Sequence, residues 1–124
     1  MNNALDLLQR AATRLSQEGS IKDRLADAYA SHLVDVDVDD LPDIIRNDFA
    51  ELCEAMHRAQ PLPRESVVRA SVRKMSNDEA GRYAALVVRA FAALARAEVA
   101  GVAMRRTVRK PGATPVVPLF AAEG

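Results

Sequence analysis

The sequence predicts an all-α fold, a four- to five-helix bundle with a long, mostly apolar fifth helix and an irregular, proline-containing C-terminal tail. Apolar residues recur every three or four positions over most of the first hundred residues, which is the spacing of one helix face. Serine-led capping patterns precede two of these apolar runs. The chain has two tyrosines, three phenylalanines and no tryptophan, so alanine, leucine and valine must fill the core, which favours closely packed helices.

The length of the chain predicts a single domain. Its 124 residues suffice for one self-contained hydrophobic core but not for two. Because arginines and then prolines accumulate near the C-terminus, we expect a helical domain over residues 1–103 and a basic, then proline-containing, tail over residues 104–124.

Two helices and an acidic loop are predicted in the first forty residues. The first apolar stripe stops at Gly19, and Ser20 with Asp23 three residues later forms an acidic variant of a capping box for the second helix. Valines then alternate with aspartates over residues 33–40, which predicts an extended segment with its valines turned inward.

Three further helices are predicted after this loop. Asp39 or Asp40 can cap the third, with Pro42 in its first turn, and a short fourth helix is expected to begin near Arg64. Ser76 and Glu79 form a capping box for the fifth. Continued to Gly101, that helix would be about 37 Å long at 1.5 Å per residue, longer than its neighbours can cover.

The fifth helix is the predicted self-association element. Because four short helices leave part of it uncovered, we expect an apolar patch in its C-terminal half to be exposed in the monomer and to form the interface of a two-fold homodimer. The residues assigned to this patch are Phe91, Leu94, Val99 and Val102.

Charge is distributed unevenly although the net charge is zero. Residues 1–60 carry twelve acidic and six basic side chains, whereas residues 61–124 carry five acidic and eleven basic ones. A basic surface suggests nucleic-acid binding as an alternative function, and the residues assigned to it are Arg82, Arg89, Arg96, Arg105, Arg106, Arg109 and Lys110. The acidic loop Asp35–Asp43 and the tail segment Val117–Phe120 are candidate contacts for a protein partner.

Catalytic and metal-binding patterns are incomplete. Glu54 and His57 form one Glu-x-x-His motif, but a di-iron bundle needs a second copy. Cys53, His57 and His32 could supply at most three zinc ligands, and the chain has no glycine-rich phosphate loop or nucleophile-elbow motif. We therefore predict no enzymatic activity, no cofactor and no metal. A metal-dependent helical enzyme around Glu54 and His57 is the third hypothesis.

The expected location is the cytoplasm. The first residues lack the basic and apolar regions of a secretion signal, and the single cysteine suits a reducing compartment. The apolar stretch from Tyr83 to Met104 contains Arg89, Arg96 and Glu98, which argue against a membrane span. Together these features predict a small, non-enzymatic interaction or regulatory protein that self-associates.

Overall fold

The computed structural model describes residues 3–109, and the side chains of residues 3–101. This part of the chain contains five α-helices and two short 3₁₀ turns, and no strand. The prediction of an all-α bundle is therefore confirmed. The helices are α1 (Asn3–Leu15), α2 (Ile21–Ser31), α3 (Asp43–Met56), α4 (Val67–Arg73) and α5 (Asn77–Arg109), and the 3₁₀ turns are Leu33–Asp35 and Val38–Asp40.

Serine side chains begin three of the helices. The hydroxyl of Ser20 accepts a hydrogen bond from the backbone N–H of Asp23 at 3.1 Å, and that of Ser76 accepts one from Glu79 at 3.0 Å. Both predicted capping sites are thus confirmed. Ser66 caps α4 in the same way, because its hydroxyl accepts a hydrogen bond from the backbone N–H of Arg69. Such an N–H in the first turn has no partner within the helix.

The loop between α2 and α3 differs from the prediction. Instead of an extended segment, it forms two 3₁₀ turns, with Val36 buried and Val34 48% exposed. The carboxylate of Asp37 accepts the N–H of Asp39 and so caps the second turn. The prediction that Asp39 or Asp40 caps α3 was therefore wrong, because the chain is extended at Leu41 and Pro42, and Pro42 begins the helix without a side-chain cap.

The fourth helix begins later than predicted. Arg64 has a φ of +67°, in the left-handed region, and this conformation keeps it out of the helix. The helix starts three residues later at Val67 and is short, with Ala70, Ser71 and Val72 buried.

The core lies between α5 and the other helices. Helix α5 packs against α1, α2 and α3, and α4 packs against α2 and α3. Each helix turns one apolar stripe inward, as expected for amphipathic helices around one core. The largest fully buried side chains are Leu8, Leu25, Leu33, Leu41, Phe49, Leu52, Met56 and Val87.

Helix α5 extends beyond the bundle. Its 33 residues correspond to about 50 Å, and it passes residue 103, the predicted end of the helical domain, to end at Arg109. Its buried positions run from Ala80 to Leu94, and none of its side chains from residue 95 to residue 101 is buried. The predicted overhang is present. Residues 110–124, with the predicted tail contact Val117–Phe120, lie outside the described part of the chain.

Within residues 3–109, no helix has the length and apolarity needed to cross a membrane.

Candidate functional site

An apolar stripe runs along the side of α5 that points away from the core. Val88, Ala92, Ala95 and Val99 follow one another at spacings of four, three and four, so they share one helix face. Val88 is 48% exposed and Val99 is 70% exposed. Ala92 and Ala95, between these two valines, are half-buried.

The predicted self-association patch agrees only in part with this stripe. Val99 is exposed as expected, and Phe91 is partly buried against the core. The expectation that Leu94 is exposed in the monomer was wrong, because its side chain is only 3% exposed. Leu94 lies seven residues after Val87, which is fully buried, and seven residues return a helix to almost the same direction. The side chain of Val102 lies outside the described part.

Helix α3 extends the apolar surface on one side of α5. Ile44 is 81% exposed, whereas its neighbour Ile45 is turned into the core. Between α3 and α5 lies a cleft of about 330 Å³ that Ile44 shares with α5. Its lining residues are Ile44, Ile45 and Asp48 of α3, and Leu86, Arg89, Ala90, Ala92, Ala93 and Arg96 of α5.

A second cleft of about 380 Å³ continues the first towards the start of α5. Asp48 lines both clefts, and the second adds Glu51 of α3 and Arg82 of α5. Hence carboxylates of α3 and guanidinium groups of α5 line the same surface. We call this surface the α3–α5 face, defined by Ile44, Asp48, Glu51, Arg82, Val88, Arg89, Ala92, Arg96 and Val99.

Within the described residues, the charged side chains of the α3–α5 face form no ion pair. Arg82, Arg89 and Arg96 are exposed at seven-residue spacing, so they form one line along the helix. Among residues 3–101, none of them lies within 4.0 Å of a carboxylate, and neither Asp48 nor Glu51 lies within 4.0 Å of a basic side chain.

The predicted basic surface is described only for these three arginines. The side chains of Arg105, Arg106 and Arg109, and the whole of Lys110, lie outside the described part. Where the arginines are described, Asp48 and Glu51 line the same clefts and reduce the positive potential that would attract a phosphate backbone.

The cysteine and histidine near the end of α3 contact a buried tyrosine. The hydroxyl of Tyr29 lies 3.0 Å from Nε2 of His57, and the two rings meet edge to face. Burial, followed by a hydrogen bond with Cys53, raises the pKa of Tyr29. Tyr29 is 2% exposed, so this cluster joins α2 to α3 from within the core.

The hypothetical metal site around His57 is not assembled within the described residues. Glu54 is exposed, and His32 borders a surface groove along α1 instead of joining Cys53 and His57. In the described residues, no group of three or more histidine, cysteine, aspartate or glutamate side chains is placed to hold a metal ion.

The acidic loop presents its carboxylates to solvent. Asp35, Asp37, Asp39 and Asp40 are exposed, and Asp43 at the start of α3 pairs with Arg46 at 3.0 Å. Asp37 and Asp43 thus have local structural roles in capping a turn and pairing within a helix.

Within residues 3–101, the α3–α5 face combines exposed large apolar groups with charges that form no ion pair. Its exposed residues belong to helices whose opposite side is buried, with Ile45 and Phe49 on α3 and Val87 on α5. Comparison with known protein families, curated proteins and solved structures finds no match to this chain.

Proposed function

We propose that this protein is a small, non-enzymatic interaction or regulatory protein that forms a homodimer through the α3–α5 face. The observation that carries the proposal is the exposure of Ile44, Val88 and Val99 on this face. They are three of the five large apolar side chains exposed in the described chain. Exposed apolar patches typically mark an interface.

The dimensions of the face suit a standard interface. Arg82 and Val99 are seventeen residues apart on α5, which corresponds to about 26 Å. The face also includes α3, and packed helices lie about 8–10 Å apart. A patch of about 800 Å² per partner, the usual size of a specific interface, is about 30 Å across.

The charges of the face favour a second copy of the same chain as the partner. A two-fold interface brings one patch against itself, so a patch that carries both signs can pair with itself. Asp48 and Glu51 supply the negative groups, and the three arginines of α5 supply the positive ones. A phosphate backbone would match only the arginines.

Nucleic-acid binding through the basic residues is the alternative function. The line formed by Arg82, Arg89 and Arg96 supports it. Replacing Arg105, Arg106, Arg109 and Lys110 by alanine would then weaken binding to unrelated sequences and flatten its dependence on salt, because each phosphate contact releases counterions. Absence of DNA or RNA binding by the unmodified protein at low salt would refute this alternative. We place either function in the cytoplasm, because the free Cys53 suits a reducing compartment.

Sedimentation equilibrium tests the homodimer. We expect twice the 13.5 kDa mass of the chain at high micromolar concentration, and a monomer for Val88→Asp/Val99→Asp. Val34→Asp is the matched control, because Val34 is also 48% exposed but lies away from the α3–α5 face. It should remain dimeric. A monomeric unmodified protein, or equal dissociation by both variants, would contradict the proposal.

The C-terminal segment supplies a second control. If two copies of the α3–α5 face meet directly, Leu119→Asp/Phe120→Asp in the full chain leaves the dimer intact. Dissociation of this variant would show that the tail, not the second α3–α5 face, is the partner surface, and would overturn the proposed interface.

A further inference from the structure

We infer that a cleft at the end of α4 is a binding site for a small aliphatic monocarboxylate, held by the side chains of Arg58, Ser71 and Lys74. This inference does not depend on the proposed homodimer and adds a ligand site to the protein. The cleft lies where the end of α3, the end of α4 and the start of α5 meet, and its volume is about 310 Å³. That volume is near the lower limit for small-molecule pockets, so it suits a small ligand.

The cleft is lined by hydrogen-bond donors that the fold does not use. Four of its side chains carry donor groups, and among the described residues none of the four donates a hydrogen bond. They are Arg58, Gln60, Ser71 and Lys74. A guanidinium, a carboxamide, a hydroxyl and an ammonium group around one space suit a ligand that accepts hydrogen bonds.

Ser71 is the donor that solvent reaches least. It is only 4% exposed, and its Oγ accepts a hydrogen bond from the backbone N–H of Ala59 at 3.0 Å. A hydroxyl carries one donor besides its acceptor sites, so this contact leaves the proton of Ser71 available. Leaving a buried donor without an acceptor costs free energy. An oxygen atom of a ligand in the cleft would accept this proton.

The charges of the cleft favour a monoanion. Arg58 and Lys74 supply two positive charges, and Glu79 supplies one negative charge 3.6 Å from Arg58. The cleft thus has an excess of one positive charge, which a carboxylate neutralises while it accepts charge-assisted hydrogen bonds. A phosphate group, with about two negative charges at neutral pH, would be repelled by Glu79.

Apolar side chains complete the cleft. Ala55 and Met75 line it and are themselves 1% and 6% exposed. They offer apolar surface to the body of a ligand whose polar end meets the donors, which is the usual division of a small-molecule site. The expected ligand therefore has a short aliphatic body and one carboxylate.

A neighbouring cleft of about 320 Å³ between α2 and α4 also contains basic side chains but uses them differently. Lys22 donates to the carbonyl oxygen of Arg73 at 3.0 Å, and Arg69 donates to Asp27 at 2.5 Å. Arg73 donates to Glu65 at 2.8 Å. These donors act within the fold, whereas those of the cleft at the end of α4 remain available to a ligand.

Nuclear magnetic resonance titration of the full chain with sodium butyrate tests the site, with sodium chloride at equal ionic strength as the blank. We expect saturable shifts of the backbone N–H of Ala59, which donates to Ser71, and of the side-chain N–H groups of Gln60. Butyramide has a similar shape but no charge and should cause no saturable shift. Absence of saturation with butyrate, equal binding of butyramide, or tighter binding of inorganic phosphate would overturn the inference.

Two variants and a matched control assign the binding to these side chains. Ser71→Ala should weaken butyrate binding about 10-fold, and Lys74→Gln about 5-fold, because each removes one donor to the carboxylate. Lys22→Gln makes the same charge change as Lys74→Gln at the neighbouring cleft and should bind as the unmodified protein does. If Ser71→Ala does not fold, Lys74→Gln decides, since Lys74 is exposed. Equal affinities of Lys74→Gln and Lys22→Gln would show that the site is wrong.

Discussion

The two sides of the bundle use charge in different ways. On the side formed by α1, α2 and α4, the carboxylate of Asp27 accepts hydrogen bonds from Arg14 at 2.8 Å and from Arg69 at 2.5 Å. One aspartate of α2 is thus paired with a residue of α1 and a residue of α4. On the α3–α5 face, Asp48 and Arg89 line the same clefts without forming an ion pair.

The same contrast holds for apolar groups. The α1–α2–α4 side includes fully buried Leu8 and Leu25, and its exposed surface is mainly polar. The α3–α5 face leaves Ile44 and Val99 in solvent. The first side satisfies its interactions within one chain, whereas the second has both apolar area and charges available for another surface. This difference is what a protein with one dedicated interface is expected to show.

The largest predicted effect distinguishes the buried side of α5 from its exposed side. Leu94→Asp introduces a charge into the core, and we expect it to destabilise the fold by more than about 4 kcal/mol, the upper range for loss of a buried leucine. Val99→Asp, five residues later and 70% exposed, should retain the wild-type helix content. Far-ultraviolet circular dichroism measures both. Equal loss of helix in the two variants would contradict the assignment of Leu94 to the core and of Val99 to the exposed α3–α5 face.

Much of the fold could be predicted because its signals are local. The serine caps of α2 and α5 act within three residues, and the inward stripes repeat at helical spacing. The 3₁₀ turns were missed because alternating valines and aspartates match a strand equally well. Two features favour the 3₁₀ turns over a strand. Leu33 and Leu41 are buried at the two ends of this loop, and the carboxylate of Asp37 accepts a hydrogen bond from the backbone N–H of Asp39.

The candidate site could be predicted only in part. A nearly apolar α5 indicates that some of it is exposed but does not show which side, and Leu94 was assigned to the wrong one. Its seven-residue relation to Val87 was the available signal. The exposure of Ile44 could also have been predicted, because the apolar stripe of α3 contains Ile45 and Phe49 but not Ile44. The clefts between α3 and α5 depend on how the two helices pack, so no local sequence pattern predicts them.

The next prediction compares the loss of stability caused by shortening two large apolar residues of α3. Phe49→Ala removes a fully buried ring and should destabilise the fold by about 3–5 kcal/mol. Ile44→Ala, at an 81% exposed position, should change stability by less than about 0.5 kcal/mol. Urea unfolding in a Val88→Asp/Val99→Asp background measures both without a contribution from dimerisation. A larger loss for Ile44→Ala would show that Ile44 is buried within the monomer.

A smaller effect compares the paired and unpaired carboxylates. Asp27→Ala breaks the contacts with Arg14 and Arg69, which are partly exposed to solvent, and should cost about 1 kcal/mol. Asp48→Ala, measured in the same Val88→Asp/Val99→Asp background, should cost less because Asp48 forms no ion pair within the described residues. Equal costs for the two substitutions in urea unfolding would contradict the contrast between the two sides.

The smallest effect concerns the pH dependence of Glu65, which lies on the paired side. Arg73 donates to both carboxylate oxygens at 2.8 and 3.0 Å, and the backbone N–H of Leu62 donates at 2.9 Å. The Arg73 bond, followed by that of Leu62, lowers the pKa of Glu65 from 4.5 to about 2. Because the folded state favours the ionised carboxylate, its contribution to stability is complete above pH 4.5 and is lost as the pH falls towards 2.

Nuclear magnetic resonance titration of the Glu65 side-chain carboxyl carbon tests this directly. In Arg73→Gln the pKa of Glu65 should move up towards 4.5, because the main group that stabilises the carboxylate is gone. Arg89→Gln removes the same charge from the α3–α5 face and should leave the pKa at about 2. A rise in the pKa of Glu65 in both variants would mean that the general positive potential of the molecule, not the Arg73 contact, keeps this carboxylate ionised. The specific contacts of the α1–α2–α4 side would then contribute less than their geometry implies.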